Sequence, residues 1–254
     1  MRRKLAALLV VGLVAVAGCA GGSGPAADGN TTTGDPIYET SLDADTVTEA
    51  HIDALGDAGS YTIESEGTQT MAGQNQTVET SGEINGDMAS DAVFSRTEGV
   101  QQTVELYAAG DGTAFRTFIA GDRTRYQNVS GQAGNATQYA RTTVQSFVGL
   151  FDFSYEGTED VDGETVHVYG AEGGAAVNTS SRAFGQLNES NIDAATATLR
   201  VRDDGVVTTA GYNLTVSFQG QTQSVNTTQR FTAIGDTDVA EPDWLSDAQS
   251  NTSA

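Results

Sequence analysis

Apolar and polar residues alternate with a period of two over most of the chain after Tyr61, the pattern of half-buried β-strands. Two runs are clearest. Ala195, Ala197, Leu199 and Val201 alternate with Thr196, Thr198, Arg200 and Arg202; Tyr212, Leu214, Val216 and Phe218 alternate with Asn213, Thr215, Ser217 and Gln219. Further strands are predicted over 61–71, 75–85, 91–98, 102–109, 113–119, 123–129, 152–159, 164–171 and 223–234. Turn signals separate several of them: Asn85-Gly86, Asp111-Gly112, Asp162-Gly163 and Asp204-Gly205, pairs that accept the positive φ of tight hairpins. Sequential hairpins make an antiparallel meander, so the predicted fold class is mainly β (α+β).

Two stretches carry a helical period instead. Over 43–58, Val47, Ala50, His51, Ala54 and Leu55 share a face, with Asp43 or Asp45 as N-cap and Gly56 and Gly59 as stops. Over 137–151, Tyr139, Thr143, Val144, Phe147, Val148 and Phe151 form an apolar stripe that is expected to cover the sheet. Arg141 is the only cation there, which argues against a helix lying on a membrane. The Gly-, Asn- and Ser-rich segment 174–192 reads as a loop or short helix. Pro242 and Trp244 close the domain, and 247–254 is expected to be a disordered tail.

The N-terminus obeys neither period. Arg2, Arg3 and Lys4 precede thirteen uncharged, almost wholly apolar residues, Leu5 through Ala17. That run is shorter than the about 20 residues needed to span a bilayer and fits the h-region of a secretory signal. It ends in Val16-Ala17-Gly18-Cys19. Small residues before the single cysteine resemble the lipobox of prokaryotic lipoproteins, which implies removal of 1–18 and lipidation of Cys19. Arg2-Arg3 also fits a twin-arginine signal, so the twin-arginine and general secretory routes both stay open. Segment 19–40 is rich in Gly, Ser, Thr, Asp and Pro and reads as a flexible tether. The remaining 41–246 is read as a single domain. Lipid anchoring makes the membrane a partner and places the domain on the extracellular face of the cell membrane.

Charge sharpens this reading. Over 254 residues, 12 Lys+Arg face 34 Asp+Glu, a formal net charge of −22. No basic surface is left to neutralise phosphates, which excludes nucleic acid as a partner. Beyond Cys19 the chain has nine Arg, no Lys and all 34 acidic residues, with 20 Asp against 14 Glu. Self-repulsion of that size destabilises a compact state. At molar salt the Debye length shrinks to about 3 Å and the penalty fades; lysine-free acidity therefore predicts a halophilic protein. Nine of eleven asparagines begin Asn-X-Ser/Thr, which predicts an exported, N-glycosylated chain. The candidate sites are Asn75, Asn128, Asn135, Asn178, Asn188, Asn213 and Asn226, with Asn30 and Asn251 in the tether and tail.

Candidate chemistry is sparse. One cysteine excludes an internal disulfide and a Cys-cluster zinc site, and His51 and His167 are the only histidines. Glu159-Asp160-Val161-Asp162-Gly163-Glu164 lacks the ligand spacing of an EF-hand and reads as a hairpin turn, as does Asp203-Asp204-Gly205. There is no Gly-Xaa-Ser-Xaa-Gly motif, and no lysine beyond Cys19 to serve a phosphate loop. No catalytic residue, metal ligand or cofactor is assigned, and no protein partner is indicated.

The order of elements carries a resemblance: lipobox, tether, helix, long antiparallel run, mid-chain helix and a closing Pro-Xaa-Trp. So do the phrases Asp53-Ala54-Leu55-Gly56-Asp57-Ala58-Gly59-Ser60-Tyr61-Thr62 and Tyr107-Ala108-Ala109-Gly110-Asp111-Gly112-Thr113-Ala114-Phe115-Arg116. Over 41–246 the chain resembles haloarchaeal lipoproteins of unknown function. These are similar to the outer-membrane lipoprotein carrier and the mycobacterial lipid-transporting lipoproteins. The resemblance implies a strongly curved half-barrel whose concave face, closed by helices, holds an apolar ligand without a cofactor. Tyr139, Phe147, Phe151, Leu199, Tyr212, Leu214 and Phe218 are the residues expected to line such a cavity, with 137–151 as lid. Many small core residues (Ala, Val, Thr) support a second expectation, a filled core in a structural or interaction lipoprotein of the cell envelope.

Overall fold

The computed structural model describes residues 35–39, 41–71, 76–184, 187–218 and 220–252. Helix α1 (Ala44–Ala58) starts where the Asp43 side chain accepts the Thr46 N–H at 2.8 Å and stops at Gly59, whose φ of 92° is open to glycine. Gly56 does not stop the helix; it lies within it. The chain then forms β1 (Ser60–Met71), β2 (Gln76–Asp87), β3 (Val93–Glu98), β4 (Thr103–Ala108), β5 (Ala114–Ala120) and β6 (Arg123–Asn128). Helix α2 (Ala136–Val148) follows, then β7 (Ser154–Val161), β8 (Glu164–Glu172), β9 (Ile192–Arg202), β10 (Val207–Phe218), β11 (Gln221–Thr232) and α3 (Leu245–Thr252). Three short 3-10 turns occupy the Gly- and Asn-rich loop between β8 and β9.

Every predicted strand forms, in one open eleven-stranded sheet ordered β6-β5-β4-β3-β2-β1-β11-β10-β9-β8-β7. Neighbours are antiparallel throughout. The two halves, β1–β6 and β7–β11, are each a meander, and they join where β1 pairs with β11, Ile63 opposite Phe231. The connection from β6 to β7 therefore runs from one sheet edge to the other, and α2 lies along it. A half-barrel results: α1 and α2 cover the concave face, and α3 covers part of the opposite face.

Strand alternation divides two cores between these faces. The larger one, on the concave side, includes Leu55, Tyr61, Ile63, Ile84, Leu199 and Val201, all at most 1% exposed. The smaller one is convex, where Tyr107 of β4 and Phe115 of β5 meet Leu245 and Ala248 of α3. The segment expected as a disordered tail is thus helical to Thr252. Its local pattern is weak, but Ala248 is fully buried, and the contact surface on β5 and β6 supplies the reason that sequence period alone does not.

Asn85-Gly86 also departs from expectation. It is strand, not turn: β2 continues to Asp87, and Gly86 stands opposite Tyr61 on β1. A Cβ on Gly86 would lie 2.5 Å from the Tyr61 ring, so this glycine makes room for an aromatic ring against the backbone. Asp162-Gly163 does form the predicted hairpin turn, with φ of 56° and 86° as tight turns of this kind require.

Candidate functional site: the concave face of the sheet

Helix α2 begins in a capping box. Asn135 accepts the Gln138 N–H at 2.9 Å, and Gln138 accepts the Asn135 N–H in return. Asp91, itself at a φ of 60°, accepts from Asn135 Nδ2 at 2.7 Å and from the Thr137 hydroxyl at 2.8 Å. Tyr61 donates its hydroxyl to the Ala136 carbonyl at 2.5 Å. These bonds fix the first turn of α2 over β1 and β2, and its last turn then carries Phe147 toward β10.

There five rings converge. Phe151 lies 5.5 Å from Tyr212, 6.1 Å from Phe147, 6.0 Å from Phe153 and 6.1 Å from Phe184, centroid to centroid. Phe147 lies 6.4 Å from Tyr212 and 5.8 Å from Phe153. All five rings are about 5% exposed; such tilted and edge contacts are favourable beyond their buried area. Burial raises the Tyr212 phenol above its ordinary pKa, opposed by a hydrogen bond with Thr227. The cluster forms an aromatic floor between α2, the 3-10 turn at Arg182–Phe184 and β10.

Of the residues expected to line a cavity, the fold brings Phe147, Phe151 and Tyr212 into this floor. Leu214 and Leu199 are buried on the same sheet face, Leu214 next along β10 and Leu199 on β9. Phe218 is elsewhere. It ends β10 on the concave side and is 39% exposed, at a rim shared with half-buried Val78, Val216 and Val225. Tyr139 is apart again, half-buried two turns before Phe147 on α2, with Gly134 beside its ring. A shallow cleft of about 160 Å³ opens near that end, lined by residues including Ala108, Ala114, Gly134, Asn135 and Gln138.

Phe153, Phe184 and the rim valines are the site residues that sequence reading misses. Period-two alternation marks Val216 with Leu214 and Phe218, so the rim was detectable there. Phe184 belongs to no periodic element and carries no such signal.

The histidines have structural settings. His51 is buried in α1, where burial lowers its imidazole pKa to about 3. His167 in β8 bonds Asp203 through Nε2 at 2.7 Å and the Tyr155 hydroxyl through Nδ1 at 3.2 Å. Among the described residues, no serine or cysteine bonds this pair to make a nucleophilic site. Among the described residues, no group of three or more His, Cys, Asp or Glu is placed to hold a metal ion, and no helix is long and apolar enough to cross a membrane.

The sequons fall into different settings. Asn128, Asn188, Asn213 and Asn226 are exposed. Asn213 and Asn226 stand opposite each other on β10 and β11, joined by a side-chain hydrogen bond. Asn135 and Asn178 are half-buried, each with Nδ2 donating within the fold, to Asp91 and to the Gly149 carbonyl. Asn30, Asn75, Cys19, the 1–18 segment and most of the 19–40 tether lie outside the described residues.

An open antiparallel sheet with helices laid over its concave face defines a half-barrel protein. The model of a family of unknown function, DUF7537, matches residues 4–248, and the chain belongs to that family. No curated protein matches it. Among solved structures it is similar to LprF from Mycobacterium bovis, at 11% identity over 81% of this chain and 99% of that one, with a TM-score of 0.34. It is also similar to a LolA superfamily protein from Nitrosomonas europaea, at 8% identity over 80% and 97% of the two chains, with a TM-score of 0.27.

Proposed function

We propose that this protein is a non-catalytic binder or carrier of an apolar ligand, held outside the cell by a lipid on Cys19 and a tether over 19–40. One observation supports the ligand reading above others. The concave face of an open sheet has an aromatic floor at Phe147, Phe151 and Tyr212 and, beside it, an apolar rim that the chain leaves partly uncovered at Val78, Val216, Val225 and Phe218. Apolar surface left in water is unfavourable by about 25 cal/mol per Å², so a ligand chain laid along the rim is stabilised without any new polar partner.

The full chain, purified and extracted with organic solvent, tests this reading. Stoichiometric recovery of lipid, or uptake of an apolar fluorescent probe by the extracted protein, supports it; a clean apo mass together with no probe uptake overturns it. Cys19→Ser is expected to release the protein from the membrane fraction, and retention there overturns the anchor.

A second reading, a structural envelope lipoprotein with no small-molecule ligand, draws on the same rings. Five side chains packed at 5.5–6.4 Å fill the space beneath α2 themselves. The apo mass and probe experiment separates the two. The acidic, lysine-free body further supports a protein adapted to molar salt, in which unfolding on dialysis into dilute buffer is the expected behaviour.

A further inference from the structure

The carboxylates of eight of the eleven strands lie on one face; Asp160 of β7, opposite Thr165 at the far edge, has concave parity instead. Strands β1–β6, β10 and β11 carry seven acidic residues: Glu64, Glu66, Glu79, Glu83, Asp87, Glu98 and Glu105. Register places all seven on the convex side, because Ile63, Ile84 and Phe231 define the concave set and each acid has the opposite parity in its strand. A chain of net charge −22 thus keeps this broad concave surface free of strand carboxylates.

The arginines divide in the same way. Arg96, Arg200, Arg202 and Arg230 lie on the convex side, and each is paired with a carboxylate. Arg116 of β5 and Arg123 and Arg125 of β6 have concave parity. Arg116 stands opposite Leu106 and Gln127, Arg125 opposite Phe118, and Arg123 opposite Ala120. None of the three has a carboxylate within ion-pair distance among the described residues. Arg125 instead lies over the Phe118 ring, 5.0 Å from its centroid, a contact that leaves the guanidinium edge available for hydrogen bonding. Arg123 and Arg125 are exposed and Arg116 is half-buried.

Three guanidinium groups with no ion-pair partner among the described residues, at one edge of a concave surface whose strands β1–β6, β10 and β11 carry no carboxylate on that side, make an anion site next to a greasy one. We infer that the concave face takes an amphiphile with an anionic, phosphate-type headgroup, held at Arg116, Arg123 and Arg125 while its chains run across the sheet toward the floor. Arginine forks match phosphate oxygens two at a time. From β5 to β10, where the floor lies, is six strand spacings, about 29 Å at about 4.8 Å each, so chains of one-leaflet length, about 15 Å, cover the strands nearer the arginines and end before the floor. The inference rests on the carrier reading above and names its ligand class.

Water-soluble dioctanoyl lipids test it on the full chain, at the lowest salt that leaves its circular dichroism unchanged. Dioctanoylphosphatidylglycerol is expected to bind about tenfold more tightly than dioctanoylphosphatidylcholine, and the gap to narrow as salt rises. Replacing Arg116, Arg123 and Arg125 by Ala is expected to remove that preference by weakening phosphatidylglycerol more than phosphatidylcholine, whose phosphodiester is offset by its own choline cation. Arg123→Ala with Arg125→Ala, both on exposed positions, is expected to narrow it if the triple variant does not fold. Millimolar inorganic phosphate is expected not to displace the lipid. Equal binding of the two lipids, or a preference that survives loss of the arginines, overturns this inference and leaves the carrier reading standing. Displacement by phosphate alone overturns the amphiphile in favour of a free anion. Failure of both lipids to bind overturns both readings.

Discussion

The backbone N–H of Val207 donates to Nδ1 of His51 at 3.1 Å, joining α1 to the start of β10 across 156 positions of sequence. An accepting Nδ1 puts the imidazole proton on Nε2, which has no hydrogen-bond partner among the described residues. The ring is fully buried and meets Phe231 edge-on with centroids 4.4 Å apart. Desolvation holds the folded pKa at about 3, with Asp204 acting weakly the other way.

That burial predicts acid sensitivity. The unfolded imidazole titrates near about 6.5 and the folded one near about 3, so the fold binds the neutral form. Its contribution is complete above the unfolded pKa and declines as pH falls from there toward the folded value. The loss is on the order of 4 kcal/mol over that window. Urea midpoints between neutral pH and pH about 4.5 should follow this slope. His51→Leu should lower stability at neutral pH by about 1–3 kcal/mol, because Val207 loses its acceptor, and should flatten the slope. An unchanged slope in that variant assigns the acid sensitivity to other groups.

Gly86 and Tyr61 form a second tight relationship. With the added Cβ 2.5 Å from the Tyr61 ring, Gly86→Ala forces the ring or the strand to move, at a cost of about 1–3 kcal/mol. Tyr61→Phe removes only the bond to Ala136 and should cost about 1 kcal/mol. In the Tyr61→Ala background the Gly86→Ala penalty should nearly vanish, measured as a double-mutant cycle by chemical denaturation.

Floor and rim should separate by mutation. Phe151→Ala removes a ring packed against four others and should cost about 3–5 kcal/mol. Phe218→Ala, at a position 39% exposed, should change stability by less than about 0.5 kcal/mol. It should nevertheless weaken uptake of an apolar probe several-fold. Unchanged uptake in a folded Phe218→Ala protein removes the rim from the site.

Glycopeptide mapping of the protein from its own cells should distinguish the sequons. An N-glycan is attached through Nδ2, which is engaged inside the fold in Asn135 and Asn178 and exposed in Asn128 and Asn188. Glycans are expected at the latter two and absent from the former. Modification of Asn135 would place glycosylation before folding of the α2 cap.

The convex core should depend on the C-terminal segment. Trp244 Nε1 donates to Glu105 Oε2 at 2.6 Å, and Arg96 bonds the other carboxylate oxygen at 2.5 Å. Truncation after Pro242 removes the Trp244 bond and uncovers Tyr107 and Phe115, both no more than 7% exposed in the intact chain. A loss of at least about 2 kcal/mol is expected. Thermal unfolding unchanged by the truncation would make α3 an ornament of the sheet.

Local pattern made all eleven strands and the first two helices legible, since period-two and period-3.6 burial are written into neighbouring residues. Asn85-Gly86 misled because a turn-forming pair also fits a strand whose partner carries a large ring; that partner, Tyr61, is 25 positions earlier. Helix α3 was illegible for a similar reason. Its short, mostly polar sequence buries only Leu245 and Ala248, and the surface receiving them comes from β5 and β6, with Tyr107 of β4 beside it. The candidate site was half legible: the stripe expected over 137–151 led to Phe147 on α2 and to Phe151, which lies beyond the helix end at Val148 in a bridge to Val177, whereas Phe184 sits in a 3-10 turn with no period to announce it.

By itself the sequence determined the β-rich class, the strand and most helix positions and the acidic charge, all set by nearest neighbours and composition. The tertiary structure decided which strands meet, that β1 closes on β11, that Phe151 finds Tyr212, and which face each charge occupies. Those depend on contacts between residues far apart in the chain. Long-range pairing is selected by burial of whole faces against one another, and a linear pattern records the faces without naming their partners.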